Sequence, residues 1–220
     1  MKSRLTQAFL PLTLWCCCAA ANGVNVLVLD LAGRPISDVV VVARPDSALP
    51  AGGEAGERPH AEMDQRNREF VPHVLVIESR TWVDFPNSDT VSHQVYSFSQ
   101  PKRFQLPLYR GSTHPPVFFD QAGIVTLGCN IHDNMLGFIY VADSPWFGKT
   151  DLDGRWLSGD LPPGRYDLRI WSPRFKEAPE SLERTVEVTS QSGPIETFRL
   201  AHRLKSEWNQ PTDSKTWEDY

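Results

Sequence analysis

Three donors of different chemistry fall close together in the chain: Cys129, His132 and Met135, spaced C-x2-H-x2-M in the run Cys129-Asn130-Ile131-His132-Asp133-Asn134-Met135. A thiolate, an imidazole and a thioether at this spacing can wrap around one ion. A fourth donor, His93, lies 36 residues upstream of Cys129, after the turn Phe85-Pro86-Asn87-Ser88-Asp89 and at the head of the apolar run Val95-Tyr96-Ser97-Phe98. Two imidazoles, one thiolate and a weak thioether make the ligand set of a blue copper centre. Soft sulfur favours Cu(I), imidazole accepts both oxidation states, and the axial Met tunes the potential. Zinc prefers a carboxylate, Cys or His to Met. Taken singly, Cys129 reads as a buried thiol, His132 as a surface histidine and Met135 as core. The joint spacing, with a histidine opening an upstream strand, is what points to metal. The alternative reading, a Cys-His nucleophile, needs an activating geometry and an oxyanion site. No motif here supplies one, so the chain is not expected to be an enzyme.

Cysteine usage sharpens the case. Of the four cysteines, three sit in the first 21 residues, which have the layout of a secretory signal peptide. Lys2 and Arg4 give a basic start, residues 9–18 an apolar run, and Ala19-Ala20-Ala21 a small-residue cleavage site. The expectation is export to the periplasm. A retained membrane anchor and a lipoprotein at Cys16-Cys17-Cys18 are the alternatives; Trp15 stands where the latter wants a small residue. Without the leader, Cys129 is a single thiol in an oxidising compartment, with no partner in its own chain. The charge of the 220-residue chain, −5, becomes −7, since 20 basic residues then face 27 acidic ones. Such a balance argues against a nucleic-acid partner. No apolar stretch in the body of the chain reaches the ~20 residues of a membrane-spanning helix.

The elements that must position the donors all read as strand. Apolar or β-branched segments at 24–29, 39–42, 74–77, 82–85, 95–98, 117–119, 124–127 and 138–141 are punctuated by Pro, Gly, Asn and Asp. That spacing suits an antiparallel sandwich or barrel. Residues 124–127 deliver Cys129, and 136–141 carry the chain away as the next strand. A third section repeats the idiom at 156–157, 166–171, 185–188 and 195–200. Two strands make no stable unit alone, so 24–29 and 39–42 must pair with the middle section or the last one. Residues 46–62 read as a linker and 201–220 as a loose polar tail.

The stretch 63–142 resembles a cupredoxin, of the plastocyanin and amicyanin superfamily. Within it the chain is similar to bacterial cupredoxin-like methylamine utilization proteins. The matching pieces are Met63-Asp64-Gln65, Phe70-Val71-Pro72-His73, Phe85-Pro86-Asn87-Ser88-Asp89, His93-Gln94-Val95-Tyr96-Ser97-Phe98-Ser99, Phe119-Asp120 and the run from Gly128 to Met135. The resemblance implies an all-β chain whose copper module is a Greek-key β-sandwich or barrel. It also implies one type 1 copper ion on His93, Cys129, His132 and Met135. Cupredoxins often carry Asn after the first ligand histidine, bonded to the cysteine loop. Gln94 stands there, so Gln94, Asn87 and Asn130 are the candidates for support behind the ligands. The flanks resemble a carboxypeptidase regulatory-like β-sandwich, on Val28-Leu29-Asp30-Leu31-Ala32-Gly33-Arg34-Pro35-Ile36, Thr150-Asp151-Leu152-Asp153-Gly154-Arg155 and Leu161-Pro162-Pro163-Gly164-Arg165-Tyr166. In that family the first motif and the others are consecutive. Here 22–45 and 146–200 are read as one discontinuous domain with the copper module between them.

The leading expectation is an electron carrier that exchanges single electrons with a periplasmic redox protein such as a c-type cytochrome or a dehydrogenase. The alternatives are a protein that binds and delivers copper, and a structural β-sandwich module. Copper carriers favour Met-rich or His-rich exposed motifs, and this chain has three methionines. His132 lies mid-loop, where its ring edge is the ligand edge expected nearest the surface. Ile131 and Leu136 are the candidates for an apolar partner patch around it, and the net negative charge favours steering of a basic partner.

Overall fold

The computed structural model of the protein describes residues 23–47, 58–111, 114–189 and 195–206. The proposed leader, most of the linker (48–57) and the end of the tail (207–220) lie outside the described residues. What is described is almost entirely β, with one short 3-10 turn at Pro179–Leu182. Among the described residues no helix is long and apolar enough to cross a membrane.

The strands form two sandwiches. In the first, a three-stranded sheet has Asn25–Leu29 at its centre, antiparallel to Arg155–Leu157 and parallel to Ile195–Arg199. It faces an antiparallel sheet ordered Trp146–Lys149, Val40–Pro45, Gly164–Trp171, Glu183–Val188. The opening strands therefore pair with the last section of the chain, not the middle one. Val24, Val26 and Val28 alternate inward, as a period of two requires. They meet Val39, Val41, Leu168, Ile170 and Phe198 in one apolar core.

The second sandwich is built from the middle of the chain. One sheet runs Val117–Phe119, Thr81–Asp84, His60–Glu62; the other runs Val74–Glu78, His132–Ala142, Gly123–Cys129, Tyr96–Ser97, Phe104–Gln105. Its core gathers Met63, Phe70, Val83, Phe85, Phe119, Leu127 and Ile139, together with Cys129 and Met135. A hairpin, Asp64–Arg66 with Glu69–Val71, closes one end.

Three details differ from the reading of the sequence. His60–Glu62, read as linker, is a strand paired parallel to Thr81–Asp84, because Ala61 packs on the middle core. The strand leaving the donor loop begins at His132 rather than near Leu136, and Cys129 pairs directly with His132 across a bulge after Gly128. Residues 201–206 are held down: Leu204 packs on the first core, and the Glu177 carboxylate accepts the backbone N–H of His202 at 2.9 Å.

The valine run 39–42 explains how the sandwiches join. All four side chains are buried, without the alternation of a one-sided strand. Val39 and Val41 face the first core, while Val40 and Val42 face out onto Val74 and Ala142 of the second sandwich. Phe138, Tyr140, Phe147 and Trp171 pack around this third cluster.

Candidate metal centre

Two neighbouring strands and a tight turn assemble the donors. Gly123–Cys129 buries Val125, Leu127 and Cys129 on its inner face, so the same alternation that makes it a core strand delivers the thiol inward. Asn130 and Ile131 form the turn, both exposed. The chain returns with His132 half-buried at the rim and Met135 buried among the same core residues as Cys129. His93 comes from outside this hairpin. Its backbone N–H and C=O both bond Tyr109, at 3.0 Å each, and its side chain has no exposure.

The ligating atoms converge. His93 Nδ1 lies 3.1 Å from His132 Nδ1 and 3.8 Å from Cys129 Sγ, and His132 Nδ1 lies 3.7 Å from the same sulfur. Donors held ~2.0–2.3 Å from one first-row ion stand about this far from each other. The arrangement also asks for a cation. The carboxylate of Asp89, which can only accept, sits 2.9 Å from His93 Nε2, so that nitrogen carries the proton and Nδ1 presents its lone pair to the cluster. Nothing but another imidazole nitrogen and the sulfur faces that lone pair in the cluster. The residues fit a soft, first-row ion with two nitrogen ligands and one thiolate, and the cluster is the one group of His, Cys and carboxylate donors among the described residues that meets this geometry.

Charge around the cluster is arranged to match. Burial pushes the Asp89 carboxyl up, but hydrogen bonds from the His93 ring and from the N–H groups of Arg68 and Thr90 outweigh it and bring its pKa down to about 2. At neutral pH it is therefore an anion behind His93. Burial, then the nearby His93 and Arg68, lowers the pKa of His132, against the pull of Asp89. That shift favours the neutral imidazole, the form that binds metal.

The residues expected to support the ligands are placed as follows. Asn87 is buried, but its side-chain amide donates to the carbonyls of Val91 and Tyr109 and its Oδ1 accepts from Asp89 N–H. It braces the turn that carries Asp89 and does not bond the cysteine loop. Gln94 is half-buried and Asn130 exposed; among the described residues neither makes a side-chain bond to the ligands. Ile131 is 46% exposed, whereas Leu136 is half-buried. Sequence reasoning missed Asp89 and the hairpin tip at Arg68 that donates to it at 2.8 Å. The only local signal was the spacing D-x3-H ahead of His93.

No family model and no curated protein matches the chain. Solved structures do. A purple cupredoxin from Nitrosopumilus maritimus is 21% identical, over 38% of this chain and 99% of its own, with a TM-score of 0.33. A reduced amicyanin variant is 18% identical, over 46% of this chain and 98% of its own, with a TM-score of 0.35. A copper-containing nitrite reductase from Thermus scotoductus is 21% identical over 53% of this chain but only 28% of its own, with a TM-score of 0.38. The all-β architecture rests on the strands themselves, and the donor cluster carries any statement about chemistry.

Proposed function

We propose that the protein is an exported electron carrier with one type 1 copper ion held by His93, Cys129, His132 and Met135, exchanging electrons with a periplasmic redox protein of the c-type cytochrome or dehydrogenase kind. The observation that carries this reading is the convergence of two imidazole Nδ1 atoms and the Cys129 sulfur within 3.1–3.8 Å at a buried strand end. Bound there, copper supplies a one-electron Cu(II)/Cu(I) couple.

The chain's own residues do the rest. Asp89 fixes the tautomer and ring plane of His93, as outer-shell carboxylates do for metal-bound histidines. The core around Cys129 and Met135 excludes water from the sulfur side. His93 and Cys129 are set by strand pairing on both sides of the cluster, so the donor positions vary little with oxidation state. That rigidity suits a carrier rather than a delivery protein, which must release its ion.

The test is an absorption spectrum of copper(II)-loaded protein. The wild type should show an intense visible thiolate-to-copper band, and Cys129→Ser should abolish it while leaving the fold intact. A band that survives the substitution sinks the assignment.

A further inference from the structure

We infer that the protein docks an acidic partner protein on the flank of the five-stranded sheet, at the hairpin loop 98–103, rather than at the His132 end. As a redox dock this rests on the electron-carrier reading; as a binding surface it does not.

The first observation is an exposed aromatic on a tethered loop. Phe98 is 75% exposed in the loop joining Tyr96–Ser97 to Phe104–Gln105. The loop is tied at three points. Thr126 N–H donates to Ser99 Oγ at 2.9 Å, Lys102 N–H donates to the Ser99 carbonyl at 3.2 Å, and Pro101 lies against Gly123. The Phe98 ring rests on Tyr96, centroids 5.2 Å apart. An apolar side chain this exposed has no role in the core. A large aromatic on a loop tied to its neighbours has the features of an interface anchor.

The second observation is charge. The chain has 22 basic and 27 acidic residues, yet residues 90–119 contain no carboxylate at all, with Lys102, Arg103 and Arg110 among them. Lys102 and Arg103 lie in the same loop as Phe98. An exposed aromatic sharing one loop with two cations, half-buried Lys102 and exposed Arg103, on a chain of net negative charge, is complementary to an apolar spot rimmed by Asp and Glu.

The third is the way this flank meets the donor strand. Gly128 immediately precedes Cys129, and a β-carbon there would stand 2.8 Å from Cζ and Oη of Tyr96. The missing side chain lets the Tyr96 ring lie on the backbone beside the thiol. Tyr96 and Phe98 thus form a continuous aromatic surface from that backbone to solvent.

The experiment titrates the full-length, isotope-labelled, copper-free protein with a plant-type ferredoxin, which is strongly acidic, and with mitochondrial cytochrome c, which is basic. The expected result is binding of the ferredoxin that weakens with added salt, with resonance shifts centred on residues 96–105. Lys102→Glu with Arg103→Glu should weaken it about tenfold, and Phe98→Ser severalfold. Ile131→Ser should leave it unchanged. Phe98, Arg103 and Ile131 are exposed and Lys102 is half-buried, so the melting temperature checks that each variant folds. The proposal is overturned by absence of ferredoxin binding, by shifts centred on Ile131 and His132, by cytochrome c binding as tightly, or by an oligonucleotide of similar charge competing equally. The copper reading fails separately, through a colourless wild-type protein whose ferredoxin binding persists.

Discussion

His93 has no exposure, and its two ring nitrogens have different tasks. Nε2 is spent on Asp89, and Nδ1 faces the cluster. Removing the carboxylate with Asp89→Ala leaves a buried N–H without its acceptor, which is costly, and frees the ring to turn. Copper affinity should fall ~10–100-fold, as for other outer-shell partners of metal-bound histidine, measured by competition with a chelator. The same carboxyl makes an acid signature. Its pKa is about 2 in the fold against an ordinary 3.8, so the stability it lends is full above about pH 4 and is lost as pH falls toward 2. Acid unfolding of the copper-free protein should become less steep across that window in the Ala variant. Met135→Leu should keep the colour and raise the potential, since a weaker axial donor leaves Cu(I) favoured; a potential that stays or falls removes Met135 from the ligand set. At this scale the donors were legible because three of them are sequence neighbours and their types are chemically distinctive. Asp89 was not, because an acceptor's role depends on which way a ring four residues away is turned.

The hairpin Asp64–Val71 acts on the centre without supplying a ligand. Asn67 and Arg68 both have positive φ, 52° and 61°, the geometry of a two-residue hairpin turn that matches strand twist. Neither is glycine, so no Asn-Gly or Asp-Gly pair marks this turn locally. The tip is held where Arg68 N–H meets Asp89, and the base where Asp64 Oδ1 accepts Ser88 N–H at 3.2 Å and Gln65 donates to the Pro86 carbonyl at 3.0 Å. Phe70 seats the hairpin on Gly137, where a β-carbon would stand 2.7 Å from Phe70 Cβ. That atom is close to the backbone and cannot swing aside. Gly137→Ala should therefore displace the whole hairpin, at about 1–3 kcal/mol. Hydrogen exchange at the Arg68 amide should accelerate, and copper affinity should drop although no ligand is touched. Unchanged exchange at Arg68 would show that the hairpin does not buttress Asp89. The donor hairpin itself was more legible, since the alternation of 123–129 fixes which face carries Cys129.

The whole molecule is two sandwiches sharing a third apolar cluster. The all-β class was readable from strand spacing alone, and the unbroken valines at 39–42 carried a signal of burial on both faces. What no local pattern could state was which sheet would cover the second face, because that depends on residues far along the chain. The cover is Val74, Ala142 and their neighbours. Trp171 sits over Phe138 at 5.7 Å and Tyr140 at 5.6 Å between ring centroids, and Asp143 reaches Arg44 at 3.5 Å and Arg169 at 3.6 Å across the same seam. A seam of this kind should make the two units unfold together. A ligand that binds only the folded state stabilises whatever is coupled to it, so copper added to the wild type should slow hydrogen exchange in the remote strand Asn25–Leu29 as well as in Gly123–Cys129. Trp171→Ala removes the largest side chain of the seam. Being half-buried, it should cost ~2 kcal/mol, below the ~3–5 kcal/mol of a fully buried Trp. Copper should still bind with the same band, because Trp171 touches no ligand. Its protection should now stop at the seam, slowing exchange in Gly123–Cys129 but no longer in Asn25–Leu29, and one melting transition should become two. If copper protects Asn25–Leu29 as strongly in the variant as in the wild type, Trp171 is not what couples the sandwiches.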